Sequence, residues 1–400
     1  MARFLFVVPP LVGHTNPTVG VGAALAARGH TVAWAAHPRL AEKLLPAGAT
    51  VLPLDDRYPE EEWKAAEERA RTLRGLPALE FLWREFLVPL ARGMRPGVEE
   101  ALGRFGPDVA IVDQQAIAGA LACRRKGVRW ATFATTSAGV TDPLAELPKV
   151  RAWRDAQLAA LEAEAGLPPS PCPDLSPELV VVFSTRELVG PEPLPPQVRF
   201  CGPALGGRPA DVPFPWEALA PPPARRLFVS LGTVNAEAGE RFYPVLFEAL
   251  GGVPELQVVL VAPERFTAPP GFVVRSFVPQ LALLPHVHAV VCHAGHNTVC
   301  EALGLGLPLV VLPIKDDQPV VAQQVAAAGA GIRLRFGRVR PAELREAVLR
   351  VLSEPSYREA AARIGESFRA AGGAARAAEL LEELLPGGKF PGGKFPGGKA

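Results

Sequence analysis

Val291-Cys292-His293-Ala294-Gly295-His296-Asn297-Thr298-Val299-Cys300-Glu301 opens a stretch that ends, after Leu307-Pro308-Leu309-Val310-Val311-Leu312-Pro313, at Asp316-Asp317-Gln318. The apolar run 289–292 reads as a buried strand. The polar segment 293–297, centred on Gly295, reads as a tight loop. Asn297 is the expected N-cap of a helix beginning near Thr298. Such a helix start presents free backbone N–H groups and a positive dipole end, which suits a phosphate. His293 and Thr298 flank the same spot as further donors. Glu301 lies one turn beyond Asn297 and can accept from a ribose hydroxyl. Strand, loop, helix and strand in this order outline a cradle for a nucleotide diphosphate.

Working outward, the first half alternates apolar runs with helical segments. Strands are expected at 3–9, 31–36, 108–113, 129–135 and 179–184. Asn16 is the expected cap of the first helix, with Pro17 at its first position and Gly29 past its end. Alternating βα units imply a parallel sheet covered on both faces. Residues 60–104 break the rhythm with a long amphipathic helical segment carrying Trp63, Phe81, Trp83 and Phe86. Residues 202–224 are rich in Pro and Gly and read as a linker. A second βα series starts at Arg226, with strands expected at 257–262 and 272–277. Residues 357–385 read as helical, split near Gly372–Gly373. After Pro386 the chain repeats Pro-Gly-Gly-Lys, a low-complexity tail expected to be disordered.

Composition bounds the answer. Four hundred residues with 48% hydrophobic content suit two domains. The formal net charge of +1 argues against nucleic acid or an anionic membrane as the main partner. The longest apolar runs are too short to span a bilayer, and the first residues read as a core strand rather than a signal peptide. Five cysteines without a Cys-x-x-Cys pair make no disulfide framework, so a reduced, cytoplasmic setting is expected.

The stretch resembles the donor-binding signature of the family 1 glycosyltransferases. That signature opens with Trp-x-Pro-Gln and closes with Asp-Gln. Here the opening is Phe277-Val278-Pro279-Gln280, with Phe in place of Trp. His286, His293, Gly295, Asn297, Thr298 and Glu301 follow at the family spacing, and Asp317-Gln318 closes it. The N-terminal Gly13-His14-Thr15-Asn16-Pro17 matches the family's Gly-His-x-x-Pro. The resemblance runs from Arg3 to about Leu385.

It implies an α/β fold of the GT-B type, two Rossmann-like doubly wound domains facing across a cleft. The expected division is an acceptor-binding domain at 1–202, a linker at 203–224 and a nucleotide-sugar domain at 225–356. Helices at 357–385 would cross back onto the first domain, leaving the tail at 386–400. The implied activity is inverting transfer of a sugar, glucose being expected, from a uridine diphosphate donor to a hydroxyl of a small apolar acceptor. A thymidine diphosphate sugar is the alternative donor. The expected partners are these two small molecules, with the protein a monomer or homodimer.

Transfer to an alcohol needs a base, an in-line anomeric carbon and a stabilised leaving group. His14 is the nominated base, since imidazole accepts a proton near neutral pH. It is expected on the loop after the first strand, at the sheet edge where ligands gather. The resemblance implies that Asp113, ending its strand, orients His14; the bland alternative is a helix-capping Asp. The diphosphate is assigned to His293, Gly295, Asn297 and Thr298, with Gly232 and Thr233 facing them. Such oriented donors can replace a metal, and the chain has no Asp-x-Asp, so no metal and no cofactor is expected. Phe277, Val278, Gln280 and Glu301 are assigned to donor binding, with the Phe277 ring on the base and Glu301 on the ribose, and Asp317 and Gln318 to the sugar. Phe81, Trp83 and Phe86 are candidates for the acceptor pocket, with core packing as the alternative.

Two competing readings stay open on the sequence. A nucleotide-sugar epimerase of the same fold would need no acceptor-side base. A helper protein to another transferase would have lost donor contacts, and would show no thermal shift with the free diphosphate.

Overall fold

The structure, a computed structural model, describes residues 1–54, 68–69, 73–141, 143–205, 213–232, 239–263 and 265–388. These residues build two parallel sheets. The first comprises β1 (Arg3–Val7), β2 (Thr31–Ala36), β3 (Thr50–Pro53), β4 (Val109–Asp113), β5 (Trp130–Ala134), β6 (Val180–Val182) and β7 (Val198–Phe200). Their order is β3-β2-β1-β4-β5-β6-β7. The second comprises β8 (Arg225–Ser230), β9 (Leu256–Val261), β10 (Phe272–Arg275), β11 (Ala289–Cys292), β12 (Leu309–Val311) and β13 (Gly331–Arg333). Here the order is β10-β9-β8-β11-β12-β13. The central strands are buried and largely apolar because helices cover both faces, with Thr132 within β5 and Asp113 at the end of β4 as the exceptions.

Strand order reverses between β1 and β4, and again between β8 and β11. Connections leaving such a pair diverge to opposite faces, which opens a crevice at the strands' C-terminal ends. The four segments at these two crevices carry His14, Asp113, Gly232 and His293–Asn297. Sheet order alone therefore gathers the candidate residues.

The last helix, Gly373–Glu382, returns to the first sheet. Its Ala377, Ala378, Leu380 and Leu381 are buried with Phe4, Phe6, Val21 and Leu25. A backbone N–H at Gly373 donates to Cys201 O at 2.6 Å, and Arg28 and His30 both grip Glu382 at 2.8–2.9 Å. The Arg28 hydrogen bond, against the opposing effect of burial, holds the Glu382 carboxyl down at about 2. All five cysteines are free thiols. Among the described residues no helix is long and apolar enough to cross a membrane.

Local expectations need correcting at two helix starts. The first helix runs Val12–Ala27, so Asn16 and Pro17 lie inside it and the cap position is Leu11. His14 thus sits in the first helical turn rather than on a loop. Pro17 lies inside the helix and cannot donate to the Gly13 carbonyl, which accepts from the Asn297 side chain instead. The second case is the helix His296–Gly304, whose cap is Gly295. Asn297 is already helical, and its side chain is used elsewhere. Trp63 and the tail beyond residue 388 lie outside the described residues.

Gly22 shows how closely the first helix approaches its sheet. A Cβ there would lie 2.5 Å from Trp34 Cζ2 and 2.7 Å from Cη2. The Trp34 ring is stacked on Phe6 and its Nε1 donates to Thr18 Oγ1 at 3.0 Å, so it has nowhere to go. Alanine would gain up to about 1 kcal/mol of helix propensity. Overpacking a rigid ring costs about 1–3 kcal/mol and wins. Gly22→Ala is expected to lower the melting temperature; an unchanged melt would show that the ring yields.

Candidate active site

His14 and Asp113 meet although 99 residues separate them. His14 Nδ1 lies 2.9 Å from both carboxylate oxygens. The Asp113 side chain is fully buried, whereas that of His14 keeps 15% exposure, enough for its free edge to meet a second molecule. Burial pulls the His14 pKa down, but the charge and hydrogen bond of Asp113 outweigh it, with Asp317 adding. The net effect is a pKa above the ordinary value. Asp113 Oδ1 also accepts from the Gln115 N–H at 2.8 Å, so its capping of the following chain coexists with its hold on His14.

Thr135 joins this pair and was missed in the sequence. Its Oγ1 is 2.8 Å from His14 Nδ1 and 2.8 Å from Asp113 Oδ2. The register explains its place. Asp113 pairs with Phe133 across β4 and β5, and Thr135 follows two residues on, on the same side of the chain. No sequence motif marks it; only knowledge that β5 neighbours β4 could have found it.

Across the cleft, the His293 ring fits a slot between two glycines. A Cβ on Gly232 would come within 2.7 Å of the ring, and one on Gly295 within 2.4 Å. Gly232 also has φ +75°, so it needs glycine twice over. Burial pushes the His293 pKa down to about 4, although Asp317 opposes it, so this imidazole is neutral near pH 7. Ala294 next to it is held at φ +67°, and Asp316 in the other loop at φ +56°. Left-handed non-glycine residues are costly and cluster where surrounding structure dictates a loop's shape. Thr233 lies outside the described residues.

The two halves touch through the donor loop itself. Asn297 Nδ2 donates to Gly13 O at 3.2 Å, next to His14. His296 Nε2 lies 3.0 Å from Phe183 O, and Ser137 Oγ donates to Gln324 Oε1 at 2.6 Å. The charge of Asp317 acts to raise the pKa of His14, His293 and His296 alike.

The remaining candidates divide. Phe277 is 56% exposed, a free apolar face at the cleft end of β10, whereas Val278 is buried in the second lobe's core. Val278 therefore packs, and only Phe277 of the pair offers a side chain to a ligand. Gln280 Nε2 donates to Glu301 Oε2 at 2.6 Å and reaches Thr298 Oγ1 at 3.5 Å, tying these three into one polar group. Gln318 is buried, and its Oε1 accepts from the N–H groups of Ile314 and Lys315 at 2.8 and 3.1 Å, which closes the loop before it. Asp317 occupies the cap position of the helix Gln318–Ala327 without a side-chain capping bond. Trp83 is buried with Ile117, Leu121, Leu158 and Leu161, and Phe86 packs against the same group; Phe81 has Arg69 over its ring. His286 stands beside Trp216, while His288 Nδ1 accepts from Arg226 N–H. Neither contact involves the His14 cluster.

Known proteins share this fold. Residues 258–384 match the family described as erythromycin biosynthesis protein CIII-like, C-terminal domain. The 4'-demethylrebeccamycin synthase of Lentzea aerocolonigenes is 29% identical over 96% of this chain and 100% of its own length. Demethyllactenocin mycarosyltransferase of Streptomyces fradiae is 29% identical over 96% of this chain and 87% of its own. The crystal structure of CalG4, the calicheamicin glycosyltransferase, superposes with a TM-score of 0.77 at 26% identity, covering 96% of this chain and 98% of that one. These matches indicate a glycosyltransferase of the GT-B fold, similar to family 1 members that act on natural products. Glycosyltransferases bind a nucleotide-sugar donor and a small-molecule acceptor.

Proposed function

We propose that the transferase moves a sugar, glucose in our reading, from uridine diphosphate to a hydroxyl of a small apolar natural product, phenol, terpenoid or macrolide, with inversion at the anomeric carbon. One observation carries this reading. The Asn297 amide straps the start of a helix, where a diphosphate would sit, to the carbonyl beside His14. In this reading the contact brings the base and the leaving-group site to either flank of the place an anomeric carbon would occupy.

The step is a single displacement. The acceptor hydroxyl gives its proton to His14 Nε2 while its oxygen forms the bond to the anomeric carbon. The bond from that carbon to the diphosphate breaks, and its electron pair leaves with the diphosphate. Asp113 stabilises the imidazolium as it forms. The N–H groups at the start of the helix His296–Gly304, with neutral His293, meet the growing negative charge. Phe277 stacks on the base, and the Gln280–Glu301 pair addresses the ribose. Asp317 and the amide nitrogen of Gln318 address sugar hydroxyls. A thymidine diphosphate sugar remains the second donor to assay beside the uridine one.

The deciding experiment incubates the protein with each α-linked donor and an acceptor panel, and assigns the product anomer by NMR coupling. A β product is expected; an α product would overturn the single displacement. We read the reaction as metal-independent, so turnover should survive EDTA. Loss in EDTA with recovery in Mg²⁺ would refute that part. Gln318→His should shift preference between sugars that differ at one hydroxyl by about 1–3 kcal/mol. An unchanged donor ratio would remove Gln318 from the sugar site and leave it only its loop-closing bonds.

A further inference from the structure

We infer that Thr135 is a positioning residue that fixes the tautomer of His14, and so keeps the ring nitrogen facing the acceptor free to take a proton. The inference rests on His14 being the base. It comes from counting hydrogens in a closed group of three side chains. Thr135 Oγ1, His14 Nδ1 and the Asp113 carboxylate lie within 2.8–2.9 Å of one another. Asp113 is ionised in this reading and can only accept; the hydroxyl has one proton to give.

Two arrangements are available. If Thr135 donated to Nδ1, the ring lone pair would face that hydroxyl and also both carboxylate oxygens at 2.9 Å. That places acceptor against acceptor in a buried site, which is heavily penalised. If Thr135 donates to Asp113 Oδ2, Nδ1 must carry its own proton and gives it to the carboxylate. Every group is then satisfied, with the Gln115 N–H on Oδ1 completing the set. Nε2 is left with its lone pair, the form a general base requires.

The hydroxyl therefore acts through Asp113. It pins Oδ2 from the side opposite Gln115, so the carboxylate cannot rotate away from the ring. Thr135 is itself buried, so water cannot easily replace its proton. Valine has the same shape without the hydroxyl, whereas serine keeps it.

The test compares T135V and T135S with the parent protein. Toward an aliphatic alcohol, T135V should lose about tenfold in kcat/KM, the scale of one buried hydrogen bond. Toward an acidic phenol, which needs little help losing its proton, the loss should stay below about twofold. T135S should restore both. Nitrogen-15 histidine spectra of the donor-free proteins, taken above the imidazole pKa, provide a readout that does not depend on turnover. The parent and T135S should show Nδ1 protonated and Nε2 bare, and T135V a mixture.

Equal losses on both acceptors, with His14 spectra unchanged in T135V, would overturn the inference, since a merely structural hydroxyl would behave so. The two readings fail separately. An active His14→Ala variant with a tautomer shift in T135V would sink the base assignment and leave the positioning role of Thr135 standing. An inactive His14→Ala variant with no shift in T135V would sink the positioning role alone.

Discussion

Replacing His14 with alanine should lower kcat toward alcohols by about 10²–10⁴-fold, the usual loss when a general base is removed. The acceptor proton has to move as the C–O bond forms. His14 combines partial exposure with a carboxylate partner and a side chain able to take a proton. Donor Kd should change by less than about twofold, because the donor contacts lie on the other sheet. Acidic phenols should lose less than alcohols. The pH profile provides a second check. His14 is held above its ordinary pKa by Asp113 and must be neutral to act as a base, so kcat/KM should rise with pH through that raised value. An alanine variant with full activity, or a parent enzyme without this acidic limb, would contradict the assignment.

Asp113→Asn should cost about 10–10²-fold and should move the acidic limb to lower pH. Two effects combine. Loss of the negative charge removes the main influence raising the His14 pKa, so the ring loses its proton at lower pH. The asparagine amide also brings N–H groups to the place where Nδ1 gave its proton. The ring then favours the opposite tautomer, with Nε2 protonated and unable to accept. The expected signature is a lower plateau with a limb shifted toward acid. A lower plateau with an unmoved limb would show that Asp113 supports the fold around His14 without setting its protonation. Measuring donor Kd alongside separates this from a general loss of structure.

Much of the layout was legible in the chain. The runs at 31–36 and 289–292 became β2 and β11 with the expected bounds, because a strand covered on both faces is largely apolar. The order of βα units made two parallel sheets almost obligatory. Helix starts were less legible. Asn16 and Asn297 have the chemistry of caps, yet both lie inside their helices. Local propensity rewards a cap by about 1 kcal/mol, which tertiary contacts readily outweigh. The Asn297 amide reaches Gly13 instead, a partner 284 residues away that no local pattern encodes.

The sequence by itself determined the two-sheet architecture and named most of the residues at the cleft: His14, Asp113, Gly232 and 293–298. Motif spacing carries that information because backbone geometry forces a strand, a tight turn and a helix start into one shape. Only the tertiary structure decided how those residues are used. It made Val278 a core residue and gave the Gln318 oxygen to the backbone of its own loop. It brought Thr135 into the His14–Asp113 pair and set the protonation of His293 through burial. The physical reason is that hydrogen-bond partners and pKa values depend on distances of a few ångströms across strands and across the cleft. Sheet order and domain contact set those distances, and neither is a property of neighbouring residues in the chain.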